Sequence, residues 1–185
     1  IAKEEETKFQ RLTNNVPGLI YQFTKKADGT YCVPVASSGI REIFGCSPED
    51  VVDNLTPIAR VIHPDDMDKV LADIEYSAKH LTHLFCEFRV RIPGKQIKWI
   101  AGGSTPERMT DGSVSWNGYL TDITNRKQAE KVLQANEAFF RTLTSVSPVG
   151  IFRTDPSGAC TFVNDRWCQI AVIGPQVGAV GIRED

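Results

Sequence analysis

The strongest constraint on this chain is that it repeats itself. With Glu6 aligned on Glu137, an offset of 131 residues, "ETKFQRLTNNVPGLIYQF" (6–23) matches "EAFFRTLTSVSPVGIFRT" (137–154). Phe9, Leu12, Thr13, Pro17 and Ile20 fall on Phe140, Leu143, Thr144, Pro148 and Ile151, and Tyr21 meets Phe152. Further on, Ile43 and Pro48 match Ile170 and Pro175 at an offset of 127, the shorter step implying a tighter hairpin in the second copy. A solenoid repeat runs to roughly 20–50 residues, so a period this long specifies tandem domains. Each copy opens with a helix carrying apolar residues three apart, then a proline, then a short apolar strand. The 185 residues are expected to hold one complete domain and the opening of another.

Within the first copy, residues 2–15 predict a helix that ends before Pro17. "LIYQF" (19–23), the turn "ADGT" and "YCVPVAS" (31–37) read as a hairpin. Pro34 has no N–H for a ladder, which demands an edge strand or a bulge. Short helices are expected across 38–60, where "SPED" (47–50) offers Ser47 as N-cap and Pro48 as the first helical residue. "HPDDMDKVLADIEYSAKH" (63–80) predicts a longer helix with Met67, Val70, Leu71 and Ile74 along one stripe. In "HLFCEFRVRI" (83–92), alternation places Leu84, Cys86, Phe88, Val90 and Ile92 on one face. Phe85, Glu87, Arg89 and Arg91 take the other. "QIKWIAGGSTPERM" (96–109), whose "AGG" suits close packing or a bulge, and "VSWNGYLTDI" (114–123) complete three consecutive strands. Two strands, then helices, then three strands predict an α+β domain with one antiparallel sheet and helices on one face.

Composition narrows function by exclusion. A net charge of −2 with interspersed signs gives no electrostatic footprint for nucleic acid or an anionic membrane. No apolar run approaches the ~20 residues of a membrane helix. Five widely spaced cysteines (Cys32, Cys46, Cys86, Cys160 and Cys168) without a CxxC pair argue against a zinc or disulfide framework and fit a reduced, cytoplasmic protein. No Gly-rich phosphate loop, nucleophile elbow or HExxH segment occurs, so no catalytic residue is assigned. His63, Asp65 and Asp66 suit a helix start, with Pro64 opening it and the carboxylates favouring its positive end, and are not read as a metal site.

"GIREIFGCSPEDV" (39–51), "IHPDD" (62–66), "EFRVRIPGKQIKWI" (87–100) and "GYLTDITNRKQAE" (118–130) together resemble a PAS domain over residues 8–124. The subtype is the one common in bacterial sensor histidine kinases and diguanylate cyclases. Residues 144–178 resemble the opening of another PAS domain, from which "VIGPQVGAVG" departs where a Ser-Pro-Glu-Glu helix start is usual. The resemblance implies an N-terminal helix or linker over 1–15, a complete domain over 16–124, a linker helix over 125–144 and an incomplete second domain over 145–185. It further implies a five-stranded antiparallel sheet flanked by helices, a small-ligand cavity between them, and a non-catalytic role. That role is to sense, to dimerise and to pass a conformational bias along terminal helices to a kinase or cyclase output domain in the same chain.

Haem-binding members of that family use a histidine near the helix that ends at His80. Here His80 falls at a helix C-terminus, where a cation is favoured anyway, and His83 on the polar side of the next strand. Flavin-binding members carry an Asn-Cys-Arg-Phe-Leu-Gln segment that "HPDD" does not provide. No cofactor is therefore expected. The alternatives are a haem or redox sensor, and an architectural dimerisation spacer without a ligand. Among the thiols, Cys86 is the one to watch as ligand-proximal or redox-sensitive.

Strand alternation predicts a cavity lined by Phe23, Leu84, Cys86, Phe88, Trp99, Trp116 and Leu120. Ala129, Leu133, Asn136, Phe140 and Leu143 recur at spacings of 4, 3, 4 and 3, a two-heptad seam with one polar position, which predicts a homodimeric helix. At the junction, Asn125 with Gln128 forms a candidate capping box. By family resemblance, Asp122 and Thr124 tie the strand end to the helix start.

Overall fold

A computed structural model of the chain describes residues 17–171. The helix expected over 2–15 and the departure over 172–181 lie outside the described residues. Two compact units divide between Lys127 and Gln128.

In the first unit, β1 (Leu19–Lys25), β2 (Tyr31–Ala36), β3 (Leu84–Val90), β4 (Lys98–Arg108) and β5 (Val114–Asp122) form one antiparallel sheet in the order β2-β1-β5-β4-β3. The first and last strands of this sheet are thus neighbours at its centre. β2 lies on an edge, and the register slips by one residue between the pairs Gln22↔Val35 and Thr24↔Cys32. Pro34 falls within that slip, so both of its tolerated settings, edge and bulge, are used together.

Between the hairpin and the last three strands come α1 (Ile40–Ile43), a 3₁₀ turn (Pro48–Val51), α2 (Thr56–Ala59) and α3 (Pro64–His80). His63 caps α3 by accepting the Asp65 amide at Nδ1, 3.3 Å away. The cap follows from the sequence around Pro64, which cannot extend a helix backwards. On α3, Val70, Ile74, Ser77 and Ala78 are buried against the sheet. Opposite them, Trp116 is fully buried and its Nε1 donates to Ser77 Oγ at 2.9 Å, while Ser77 donates to the Thr82 carbonyl at 2.6 Å. Sheet, helix and the turn after the helix are joined through one hydroxyl.

Glycine is needed where β4 and β5 approach. A Cβ on Gly102 would lie 1.8 Å from the Tyr119 carbonyl oxygen, and one on Gly118 would lie 2.4 Å from Ser104 Cβ. Both positions face the helices, so the centre of the sheet presents main chain there. The "AGG" stretch is a site of close packing.

The long helix α4 (Thr124–Val146) leads into the second unit, where β6 (Phe152–Thr154) and β7 (Cys160–Val163) form a two-stranded sheet followed by α5 (Asp165–Ile170). The repeat in the sequence reappears as a repeat in hydrogen bonding. In the first unit Ser37 N–H donates to the Ile20 carbonyl, and Ile20 N–H donates to Ser37 Oγ. In the second, Asn164 N–H donates to the Ile151 carbonyl, and Ile151 N–H donates to Asn164 Oδ1. Ile20 and Ile151 are the residues aligned at offset 131, and Ser37 and Asn164 are related by the shorter offset of 127.

Candidate functional site

Between the sheet and the helices α2 and α3 of the first unit lies an apolar cavity of about 120 Å³. Of the residues predicted to line it, Phe23, Leu84, Cys86, Phe88 and Leu120 do so, and Tyr21 joins them. Two predicted residues are elsewhere. Trp116 faces the helices as expected but lies beyond the cavity, closed off by the ring of Phe23 at 5.2 Å and by its bond to Ser77. Trp99 is on the opposite side of the sheet. The register pairs Phe88 with Ile100 and Arg89 with Trp99, so Ile100 faces inward and Trp99 outward.

The displaced Trp99 has another position to fill. Its ring lies beneath the Arg89 guanidinium (5.6 Å) and the Lys127 ammonium (5.3 Å), both within cation–π range. Its backbone holds the start of α4: Trp99 N–H donates to Thr124 Oγ1 (2.9 Å), and Ile123 N–H donates to the Trp99 carbonyl (2.8 Å). Asp122 Oδ1 accepts both the Thr124 amide (2.9 Å) and its hydroxyl (2.5 Å), while Lys98 sits 3.1 Å from Oδ2. Burial raises the Asp122 carboxyl, but the Thr124 and Lys98 contacts outweigh it and hold the group below its ordinary range. In the first turn of α4, Lys127 and Arg126 reach Glu87 of β3 at 2.5 and 3.6 Å. Three strands therefore grip one helix start.

This grip replaces the expected capping box. The helix begins at Thr124, and the Lys127 amide is already bonded to the Ile123 carbonyl. Asn125 is thus inside the first turn, two residues too late to cap it, and Gln128 has no reciprocal N-cap. Asp122 and Thr124 carry the junction. The same two-residue device, an aspartate accepting the amide and hydroxyl of the Thr or Ser two positions on, closes the turns at Asp28–Thr30, Asp111–Ser113 and Asp155–Ser157.

Asp66 lies in the first turn of α3, as its sequence suits, but its carboxylate does more. Arg89 donates to it in a fork, from Nε at 2.9 Å and from Nη2 at 2.6 Å, and the Arg89 amide adds a third bond at 2.8 Å. The Arg89 side chain holds the Asp66 carboxyl below its usual range. Sequence gave no sign of this pair, whose members are 23 residues apart. A carboxyl depressed on folding contributes stability that is present at neutral pH and is lost as pH falls through its folded value. Asp66→Asn is expected to destabilise the first unit at pH 7 and to flatten the acid side of its stability profile. Urea midpoints from pH 7 to pH 3 would refute this if the mutant and parent curves stayed parallel.

The histidines hold structural positions. The His80 ring packs on Tyr76, and its Nδ1 lies 2.9 Å from the Tyr76 carbonyl; His83 sits beside Thr105 on the outer face. Among the described residues no group of three or more His, Cys, Asp or Glu could hold a metal ion, and no helix is long and apolar enough to cross a membrane. Burial pushes the Cys86 thiol up to about 11, so little of it is thiolate at neutral pH.

On α4, Ala129, Leu133, Asn136, Phe140 and Leu143 are exposed, and so are Val132, Phe139 and Val146 at spacings of seven. The apolar face is therefore wider than the predicted two-residue seam. Phe140 also has a partner of its own in the second unit, the Phe162 ring at 5.2 Å.

Comparison with known proteins follows the same division. A model of the PAS fold matches residues 33–120, and a PAS domain model matches residues 138–178. This chain belongs to the PAS family. Among curated relatives, the methyl sulfide methyltransferase-associated sensor of Methanosarcina acetivorans is 27% identical over 146 residues, 78% of this chain and 14% of the relative. The peroxide stress-activated histidine kinase of Schizosaccharomyces pombe is 29% identical over 113 residues, 57% of this chain and 7% of the relative. The chain thus spans only a small part of either. Among solved structures, a sensory box histidine kinase/response regulator from Burkholderia thailandensis shares the fold at a TM-score of 0.54 and 24% identity, covering 74% of this chain and 99% of that one.

Proposed function

We propose that this PAS segment is a sensory relay: the cavity of its first domain takes a small ligand, and the grip on α4 passes the consequence to an output domain. The single observation that carries this reading is the continuous contact between cavity wall and helix. Met67, Leu71 and Ile74 of α3 line the cavity, and Asp66 in the first turn of α3 is forked by Arg89. Arg89 lies on Trp99, and Trp99 holds Thr124 and Lys127 of α4. A ligand that prefers one placement of α3 thereby biases the first turn of α4, provided the two placements differ in their affinity for it.

The exposed apolar face of α4 pairs with the same face of a second copy, and Asn136 sets its register. The relatives that are sensors or histidine kinases support a kinase as the output, ahead of a cyclase. The cavity, near the size of one small ring, favours a ligand well below haem or flavin in bulk. Its volume also argues against a spacer filled entirely by side chains.

Single cysteines placed along residues 129–143, in a background with the native cysteines removed, are expected to cross-link between subunits at the apolar positions. An absence of cross-links at every position would exclude the dimeric relay. Within the cross-linking protein, Asp122→Ala should leave the domain folded and make the cross-linking pattern insensitive to ligand.

A further inference from the structure

We infer that the cavity of the first domain selects an uncharged molecule about the size of one ring, bearing a single hydroxyl or carbonyl oxygen that Tyr21 reads with Ser104 behind it. The inference rests on the reading of that cavity as a ligand site and adds the chemical class of its occupant.

Size comes first. An apolar cavity of roughly 150 Å³ is known to admit benzene, so one of about 120 Å³ holds about one small ring without rearrangement. Charge comes second. Among the described residues, no Asp, Glu, Lys, Arg or His side chain lines the cavity. An ion entering it would lose hydration with no counter-charge to offset the loss.

Polarity comes third, and it is confined to one corner. Tyr21 and Cys86 are the lining residues with hydrogen-bond donors, and the Cys86 thiol is already directed at the Gly102 carbonyl, 3.9 Å away. Tyr21 stands in a cross-strand row with Gly118 and Ser104, all on the side facing the helices. The glycine between them puts no side chain between the tyrosine and the serine.

Among the described residues, Ser104 Oγ is buried without a hydrogen-bond partner. Ser104 is 2% exposed. A buried hydroxyl left unpaired is unfavourable, and such groups call for an explanation. A ligand oxygen supplies one. Tyr21 donates its proton to that oxygen and accepts the Ser104 proton in return, which gives both the tyrosine and the serine hydroxyl a partner.

Phenol, benzene and benzoate, matched in ring and different in head group, test this by calorimetric titration of the whole chain. Phenol is expected to bind about fivefold to tenfold more tightly than benzene, the worth of one net hydrogen bond, and benzoate not measurably. Tyr21→Phe and Ser104→Ala should each bring phenol down toward benzene's affinity. Ser104→Ala removes an unpaired group, so it should melt no lower than the parent, which keeps the comparison free of misfolding. Phenol binding no tighter than benzene, a preference that survives both substitutions, or equal binding of benzoate would each overturn the ligand class and leave the ligand site standing. Failure of all three probes, benzene included, would overturn both.

Discussion

Trp116→Ala is expected to lower the stability of the first domain by about 3–5 kcal/mol, the range for removing a large aromatic side chain from a core. Trp116 is 0% exposed, packs on Phe23 and donates to Ser77, so truncation opens a void and removes a bond that ties sheet to helix. Ser77 keeps its bond to the Thr82 carbonyl, so no orphaned hydroxyl adds to the loss. Trp116→Phe separates the two effects: it retains most of the packing and gives up the hydrogen bond, for about 1 kcal/mol of loss from the bond itself. Chemical denaturation followed by the signal of the remaining tryptophans would report both. A loss below about 1 kcal/mol for the alanine variant would mean that the core there collapses to fill the space.

Asn164→Ala is expected to loosen the second unit selectively. The Asn164 side chain uses its whole hydrogen-bonding capacity: Oδ1 accepts from Ile151 N–H (2.7 Å) and Trp167 N–H (2.9 Å), and Nδ2 donates to the carbonyls of Thr144 and Val149 (3.0 Å each). One side chain therefore caps α5, fixes the start of the hairpin and holds the last turn of α4. Loss of the cap alone is worth about 1 kcal/mol, and each further bond about 0.5–1.5 kcal/mol. The total, on the order of 2–5 kcal/mol, is large against the 5–15 kcal/mol that stabilises a whole domain. Amide exchange at Ile151 and Trp167 should accelerate at least about thirtyfold while β1 and β5 keep their protection. Asn164→Ser, which preserves an N-cap oxygen, should recover part of the difference. Exchange unchanged at Ile151 would show that the hairpin is held by other contacts.

Much of this architecture was legible because a strand with one face on a core has no choice about parity. In β3, every residue on the inward parity from Leu84 to Val90 is apolar, and Phe85 is the one apolar residue on the other, so the alternation identifies the buried face. β4 defeated the same method. "QIKWIAGG" carries apolar residues at both parities, and Trp99, the bulkiest, attracts the inward assignment. Only the pairing of Phe88 with Ile100 decides, and pairing is a property of two strands. Trp99 tolerates the outer face because Arg89 and Lys127 cover its ring, a compensation drawn from residues 10 and 28 positions away. The misplaced helix cap has a local cause. Asn125 and Gln128 have the right spacing for a box, but Thr124 is already helical, and the aspartate two residues before it does the capping work. The Asp66–Arg89 fork and the four-bond Asn164 left no trace in periodicity, because each satisfies partners that the fold, and not the chain order, brings near.

The glycines at the crossing of β4 and β5 carry one more implication. At Gly102 and Gly118 a Cβ would collide with the neighbouring strand. Among the described residues, none that lines the cavity belongs to β4. That crossing cannot take a side chain without prying the two strands apart. The cavity wall can be remodelled: Leu55 and Ile58, at the start of and within α2, Met67, Leu71 and Ile74 on α3, and the inward side chains of β1, β3 and β5 are free to shrink or grow. A chain built this way changes what it admits through those side chains and leaves the crossing of its two longest strands untouched.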